Sequence, residues 1–163
     1  MVRAKFILPL IFMAVLLGGC PYKTQTPIDT PSVKINPAIL GKWEIENSER
    51  DVYFVTQADS FTYKIEKRAE SSKTPPVYKA YLSLVDGDIF MNLREEGGLS
   101  DGKTFFLFKT IVDPAGKKLI LKEVTENITE TFTSSAELKA FIKKYKDLSF
   151  FYSKEDQVFN RIN

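Results

Sequence analysis

The sequence predicts a mainly β protein, an up-and-down antiparallel β-barrel of about eight strands with one C-terminal α-helix. Three observations carry this prediction. Segments in which apolar and polar residues alternate recur after residue 38, as expected for strands with one buried face. Tight-turn sequences such as Asp86-Gly87 separate several of these segments. A single helical pattern follows them. Closing such a sheet into a barrel removes its exposed edges.

Seven strands are predicted in chain order, with an eighth at residues 128–133 and a short last strand at residues 158–162. In the third strand, Phe61, Tyr63 and Ile65 alternate with polar residues, which is the period of a half-buried strand. The seven strands cover residues 42–46, 52–57, 60–67, 77–85, 89–93, 103–112 and 118–124.

The helical pattern begins at a capping box, in which the Ser134 hydroxyl is expected to accept a hydrogen bond from the Glu137 amide. An apolar stripe follows at helical spacing, formed by Leu138, Phe141, Ile142 and Tyr145. Lysines lie off this stripe. The pattern therefore predicts a helix packed against the sheet, and a helix lying on a membrane surface is the alternative.

The connections differ in length between the two ends of the predicted barrel. Short turns join the strands at one end, as at residues 86–87 and 113–116. Long polar loops at residues 47–51, 68–76 and 95–102 join them at the other end. Small-molecule sites form in the mouths of such barrels. We therefore expect an apolar ligand to enter between the long loops if the interior is open. If side chains fill the interior, the same loops are expected to dock a protein.

The first residues have the pattern of an export signal. Arg3 and Lys5 precede an apolar run over residues 6–17, which is too short to cross a bilayer core of ~30 Å. Such a run is typical of a secretory signal. An N-terminal membrane anchor is the alternative.

Leu17-Gly18-Gly19-Cys20 follows this run and resembles the lipobox of bacterial lipoproteins. The resemblance implies that residues 1–19 form a lipoprotein signal peptide. It also implies that Cys20, acylated through its sulfur, is the first residue of the mature chain and holds the protein in the cell envelope. Pro21 stands where an Asp would imply retention at the inner membrane, so the outer membrane is favoured if the cell is Gram-negative.

Residues 20–37 are predicted to form a lipidated tether. Four prolines among residues 21–37, with Thr, Ser and Lys between them, favour an extended and poorly packed chain. At ~3 Å per residue, this chain would hold a domain some tens of ångströms from the membrane. The folded domain is accordingly predicted at residues 38–163.

Gly41-Lys42-Trp43 opens the first predicted strand and is similar to the start of a lipocalin or related calycin barrel. The resemblance implies that Trp43 plugs the closed end of the barrel and that Arg161, on the short last strand, stacks on it. The chain is also similar to small uncharacterised bacterial lipoproteins with a capped helix near the end, which imply no activity.

The composition excludes several classes of chemistry. The chain has no histidine and one cysteine, Cys20, so neither a Ser-His-Asp triad nor a Cys/His metal site is available. Asp86 and Asp88 are typical of a hairpin turn rather than a calcium site, so no metal and no cofactor are expected. Of the 23 basic residues two precede Cys20, which leaves 21 against 21 acidic residues. Such a balance gives no electrostatic basis for binding nucleic acid.

The sequence therefore predicts a membrane-anchored protein that binds an apolar small ligand or an envelope protein, without catalysis. The alternative is an inhibitor or immunity protein that blocks an enzyme through the open-end loops. These loops mix charges of both signs, whereas an inhibitor of a cationic enzyme is expected to carry an acidic rim. The aromatic run at residues 148–152 is expected in the core, with a partner-facing patch as the alternative.

Overall fold

The alternating segments form antiparallel strands that pair in chain order. The computed structural model describes residues 21–46, 51–69, 74–97 and 101–162. The strands are β1 (Lys23–Thr24), β2 (Gly41–Ile45), β3 (Asp51–Gln57), β4 (Thr62–Ala69), β5 (Val77–Val85), β6 (Asp88–Glu96), β7 (Phe105–Val112), β8 (Lys118–Glu123) and β9 (Gln157–Ile162). The helix α1 is Ser135–Tyr145, and two short 3-10 helices are Pro37–Ile39 and Ser149–Phe151.

Several predicted features lie outside the described residues. These are the signal peptide at residues 1–19, the lipid attachment residue Cys20, and residues 47–50, 70–73 and 98–100 of the three long loops.

The strands close into a barrel. From β2 to β8 each strand pairs with the next, and β9 then pairs with both β8 and β2. Trp43 lies opposite Arg161 in the β2–β9 pair, and Leu119 lies opposite Phe159 in the β8–β9 pair. The predicted fold class is therefore confirmed as a closed antiparallel barrel of eight strands with one helix. The short β1 is an additional strand that pairs with β7.

The strand predicted at residues 128–133 is wrong. The chain there is coil that follows a turn at residues 126–127, and the Ile128 amide donates to the Thr125 carbonyl at 3.3 Å. The side chain of Ile128 is buried under α1. The free edge of β8, which residues 128–133 would need, is occupied by β9. The short last strand is thus the eighth strand of the barrel.

Two apolar cores lie on opposite sides of the barrel wall, because successive side chains of a strand point to opposite faces. The inner core contains Ile39, Trp43, Val55, Tyr63, Ala80, Leu82, Met91, Phe108, Leu119, Leu121 and Phe159. In the outer core, α1 packs Leu138 and Ile142 among residues of β5–β7. Both of these helix residues are only 1% exposed, so the apolar stripe packs on the sheet and is not available to a membrane surface.

The N-terminal segment also packs on the outer wall, and residues 21–31 are here called the N-terminal strap. Ile28 is fully buried, and its amide donates to Oδ1 of Asn92 at 2.9 Å. The ammonium of Lys139 lies 2.9 Å from the carboxylate of Asp29. The expectation of a poorly packed tether over residues 20–37 is therefore wrong for its described part, and the folded domain does not begin at residue 38. The prolines permit an extended chain, but the side chains between them have partners on the barrel.

Candidate ligand site inside the barrel

The interior of the barrel contains a cavity of about 260 Å³ that is open to solvent on one side. All eight barrel strands contribute to its wall, through side chains on their inward faces. The lining residues are Pro21, Ile39, Trp43, Tyr53, Val55, Ile65, Tyr78, Met91, Leu93, Phe106, Phe108, Leu119, Leu121, Glu123, Gln157 and Phe159. An eight-stranded barrel is just wide enough either to be filled by side chains or to hold one small ligand. Here the side chains leave part of the interior open.

The closed end of the barrel is built around Trp43, which is 1% exposed. Its indole N–H donates to the Ile39 carbonyl at 2.8 Å. The guanidinium carbon of Arg161 lies 4.4 Å from the centroid of the Trp43 ring, within the range of a cation–π contact. The same guanidinium donates to three backbone carbonyls, those of Gly116 at 2.5 Å, Ala38 at 2.6 Å and Leu40 at 2.7 Å. The two residues singled out in the sequence therefore lie in contact at this end.

The glycine two residues before Trp43 has a steric role. Gly41 has a φ of +130°, which residues with a side chain rarely adopt. A Cβ atom at this position would lie 2.5 Å from Nη1 of Arg161. The lack of a side chain at Gly41 therefore lets the guanidinium of Arg161 cross the start of β2.

The cavity contains few polar groups, contributed by Glu123, Gln157, Tyr53 and Tyr78. Glu123 is the only charged side chain among its described lining residues. Burial raises the pKa of the Glu123 carboxyl, and it is the sole cause of the shift. Burial likewise raises the pKa of the Tyr53 and Tyr78 hydroxyls. The interior is therefore an apolar chamber with one carboxylate and two phenol groups.

Pro21 completes the cavity wall where β7 and β8 separate. The pairing of these strands ends at Glu123. Beyond that point the N-terminal strap fills the gap, since the Tyr22 amide donates to the Val124 carbonyl at 2.9 Å. Cys20 lies outside the described residues, and it directly precedes Pro21 in the sequence. The candidate lipid attachment residue is therefore covalently joined to a residue of the cavity wall.

A second, larger cleft of about 610 Å³ lies outside the barrel, between the N-terminal strap and the outer wall. Several of its polar side chains already have hydrogen-bond or ion-pair partners in neighbouring residues. The carboxylate of Asp59 accepts from the amides of Phe61 at 2.8 Å and Thr62 at 2.9 Å. The guanidinium of Arg94 pairs with Glu96 at 3.6 Å. Within the described residues, no hydrogen bond or ion pair engages the carboxylate of Glu123 in this way. The barrel interior is therefore the better candidate site.

The acidic turn between β5 and β6 fastens the C-terminal end of α1. The ammonium of Lys146 lies 2.5 Å from the Asp88 carboxylate, and that of Lys109 lies 2.9 Å from it. Lys143 reaches Asp86 at 3.3 Å. These carboxylates thus serve ion pairs in a hairpin turn. Across the described ranges, no cluster of three or more acidic, His or Cys side chains is suited to hold a metal ion.

The aromatic run near the end of the chain is divided between core and surface. Phe151 is fully buried in the outer core, whereas Phe150 is 58% exposed and Leu148 is 40% exposed. The core interpretation therefore holds for Phe151, whereas the side chains of Leu148 and Phe150 are exposed.

No family model matches this chain, and no curated protein or solved structure matches it. Membership of the lipocalins and the lipobox assignment therefore rest on the residues quoted above and stay predictions. In the part of the chain that the structure describes, no helix has the length and apolar character needed to cross a membrane.

Two cavity residues, Glu123 and Pro21, differ in the signal that the sequence holds for them. A signal for Glu123 was present, because it follows Leu119 and Leu121 at the period of two that places side chains on one face of β8. No local signal marks Pro21, whose proline-rich surroundings are typical of a linker.

Proposed function

We propose that this chain is a lipid-anchored protein of the bacterial cell envelope whose barrel binds a small apolar ligand without turning it over. The cavity of about 260 Å³ carries the proposal, because its lining is predominantly apolar and aromatic. Ligand pockets commonly measure roughly 300–1,000 Å³, so this cavity stands just below their lower bound. At ~30 Å³ per water-sized group it has room for about nine non-hydrogen atoms.

The chemistry of the lining favours binding over catalysis. General acid–base catalysis needs a proton donor or acceptor whose pKa is matched to its task and which lies within reach of the substrate. The described lining offers one carboxylate and two tyrosine hydroxyls, and that lining has no second carboxylate, lysine or arginine to share proton transfer or to stabilise a developing charge. The chain also has no histidine to act as a base near neutral pH.

The proposed anchor lies next to the proposed site. Acylation at Cys20 would attach lipid one residue from Pro21, which lines the cavity. The packed strap supplies no long spacer, so the barrel would rest close to the membrane rather than tens of ångströms away. This position favours ligands that partition into a lipid phase, and it makes the membrane itself the first partner. The outer membrane remains the favoured location for a Gram-negative cell.

The test is to fill the cavity and measure ligand binding. We expect the full chain carrying Cys20→Ser to bind 1-octanol, a neutral ligand of about nine non-hydrogen atoms, in isothermal titration calorimetry. Leu121→Trp places extra volume in the cavity and is expected to abolish binding. Ile120→Trp, the matched control, adds the same side chain on the other face of β8 and is expected to leave binding intact. Equal binding by the two tryptophan variants would contradict the proposal.

The second candidate function is the docking of an envelope protein, including the inhibition of an enzyme. Leu148 and Phe150 favour it, because both are large apolar side chains that are exposed and lie two residues apart in the chain, and exposed apolar patches often mark contact surfaces. Under this alternative, Phe150→Ser abolishes the recovery of an envelope partner in a pull-down and Leu121→Trp does not. Under the ligand proposal, the two variants behave in the opposite way in the binding assay.

A further inference from the structure

We propose that Glu123 selects the ligand of the barrel, and that this ligand is a small amphiphile with a protonated amine head and an alkyl chain. The assignment rests on the proposed function, since it concerns the same cavity. The amine would lie at the carboxylate of Glu123, and the alkyl chain would extend towards Trp43 at the closed end.

The position of Glu123 suits a head-group contact. It is the last residue of β8, at the end of the barrel where β7 and β8 separate. Leu119 and Leu121 precede it on the same inward face, so the chamber becomes apolar directly below the carboxylate. A ligand with one polar end and one apolar end therefore matches the distribution of groups in the cavity.

No positively charged side chain in the described lining balances the charge of the Glu123 carboxylate. No Lys or Arg belongs to the described lining. The neighbouring Lys122 is on the opposite face of β8 and pairs with Asp156 at 2.9 Å. Lys67 pairs with Asp51 at 2.7 Å. Lys23 is exposed, with its ammonium 6.0 Å from the centroid of the Phe106 ring. A bound ammonium would supply the opposite charge that these lysines do not.

The same carboxylate disfavours the acidic amphiphiles that an apolar barrel would otherwise accept. Burial already raises the pKa of the Glu123 carboxyl, which reports that its charged form is poorly solvated. A second carboxylate beside it adds like-charge repulsion, whereas an ammonium stabilises the charged form. An ammonium also has three N–H donors and no acceptor, and Glu123 and Gln157 both offer oxygen acceptors in the cavity.

The test compares three ligands of one chain length and about nine or ten non-hydrogen atoms: octylamine, 1-octanol and octanoate. Each is titrated calorimetrically at neutral pH into the full chain carrying Cys20→Ser. Octylamine is expected to bind at least about tenfold more tightly than 1-octanol, which corresponds to ~1.4 kcal/mol, and octanoate is expected to bind most weakly. Glu123→Gln is expected to reduce the preference for the amine over the alcohol to about twofold or less.

The matched control is Glu126→Gln, which removes an exposed carboxylate three residues away and is expected to leave the preference unchanged. If Glu123→Gln proves poorly folded by circular dichroism, Glu123→Leu provides the second variant, since leucine matches the rest of the lining. Glu123→Leu is expected to bind 1-octanol at least as well as octylamine.

The possible failures are distinguishable. If octanol or octanoate binds the parent chain as tightly as octylamine, the assignment of Glu123 is wrong while the ligand cavity stands. If the Glu123 variants keep the amine preference, the assignment is wrong in the same way. If none of the three ligands binds, both the assignment and the proposed function are wrong.

Discussion

Replacement of Arg161 by alanine is expected to lower the free energy of unfolding by about 3 kcal/mol. The side chain donates to three backbone carbonyls and lies over Trp43. Hydrogen bonds from a charged donor contribute ~1.5–3 kcal/mol each and a cation–π contact ~0.5–2 kcal/mol, so a simple sum exceeds ~5 kcal/mol. Because Arg161 is only half-buried, water can replace part of these contacts, and roughly half of the sum remains. Such a loss is a large share of a typical domain stability of ~5–15 kcal/mol.

Gly41→Ala tests the same contact from the other side. The φ of Gly41 imposes strain of ~1–3 kcal/mol on a residue with a side chain. The added Cβ must also displace Nη1 of Arg161, which would lie 2.5 Å away. In the Arg161→Ala background only the backbone strain remains. The double-mutant cycle is therefore expected to yield a coupling free energy of ~1–2 kcal/mol.

The assay is urea unfolding, followed by far-UV circular dichroism and by the fluorescence of Trp43, the only tryptophan in the chain. Arg68→Ala is the matched control, because the guanidinium of Arg68 likewise lies over an aromatic ring and has an oxygen partner, the Glu66 carboxylate, but its side chain is 59% exposed. We expect this control to lose less than ~1 kcal/mol. A loss in Arg161→Ala no larger than that of Arg68→Ala, or additive losses in the Gly41 cycle, would refute the reasoning.

Three further outcomes are expected. Ile28→Ala should destabilise the domain by about 2–4 kcal/mol in the same urea assay, because Ile28 is fully buried; an unchanged midpoint would restore the tether interpretation. Cys20→Ser should move the protein from the membrane fraction to the soluble fraction on sedimentation, and a variant that still sediments with membranes would disprove the lipid anchor. Burial raises the pKa of Asp88, but hydrogen bonds from Lys146 and Lys109 outweigh burial and lower the pKa below its ordinary value. The stability that Asp88 contributes is therefore complete above its unfolded-state pKa and is lost as the pH falls through the folded value, below about pH 4. Asp88→Asn should lose less stability than the parent chain between pH 7 and pH 3, and equal acid sensitivity of the two would contradict the assigned ion pairs.

Most strands, the tight turns and the helix could be predicted from local patterns in the sequence. The segment at residues 77–85 was predicted with the bounds that β5 has, since its alternation is continuous and Asp86-Gly87 ends it. The start of α1 followed from Ser134, whose hydroxyl accepts from the Glu137 amide at 3.3 Å. These features depend on residues that are close together in the chain, so a local pattern was sufficient to predict them.

The sequence predicts only part of the candidate site. The barrel and its two different ends were predicted, and the inward position of Glu123 could have been derived from the alternation in β8. Whether the interior is open could not, because the volume that remains depends on how side chains from eight strands pack together. Periodicity specifies which face a residue occupies and not how much space its neighbours leave.

The closure of the barrel depends on contacts between segments that are distant in the sequence. The choice of β9 over residues 128–133 as the eighth strand depends on which segment occupies the free edges of β2 and β8, and these edges lie far apart in sequence. The packing of the N-terminal strap could not be predicted for the same reason, because the Ile28 amide donates to Asn92, which is distant in the sequence. Such contacts stabilise the fold only when distant segments meet. A pattern of a few neighbouring residues therefore does not predict them.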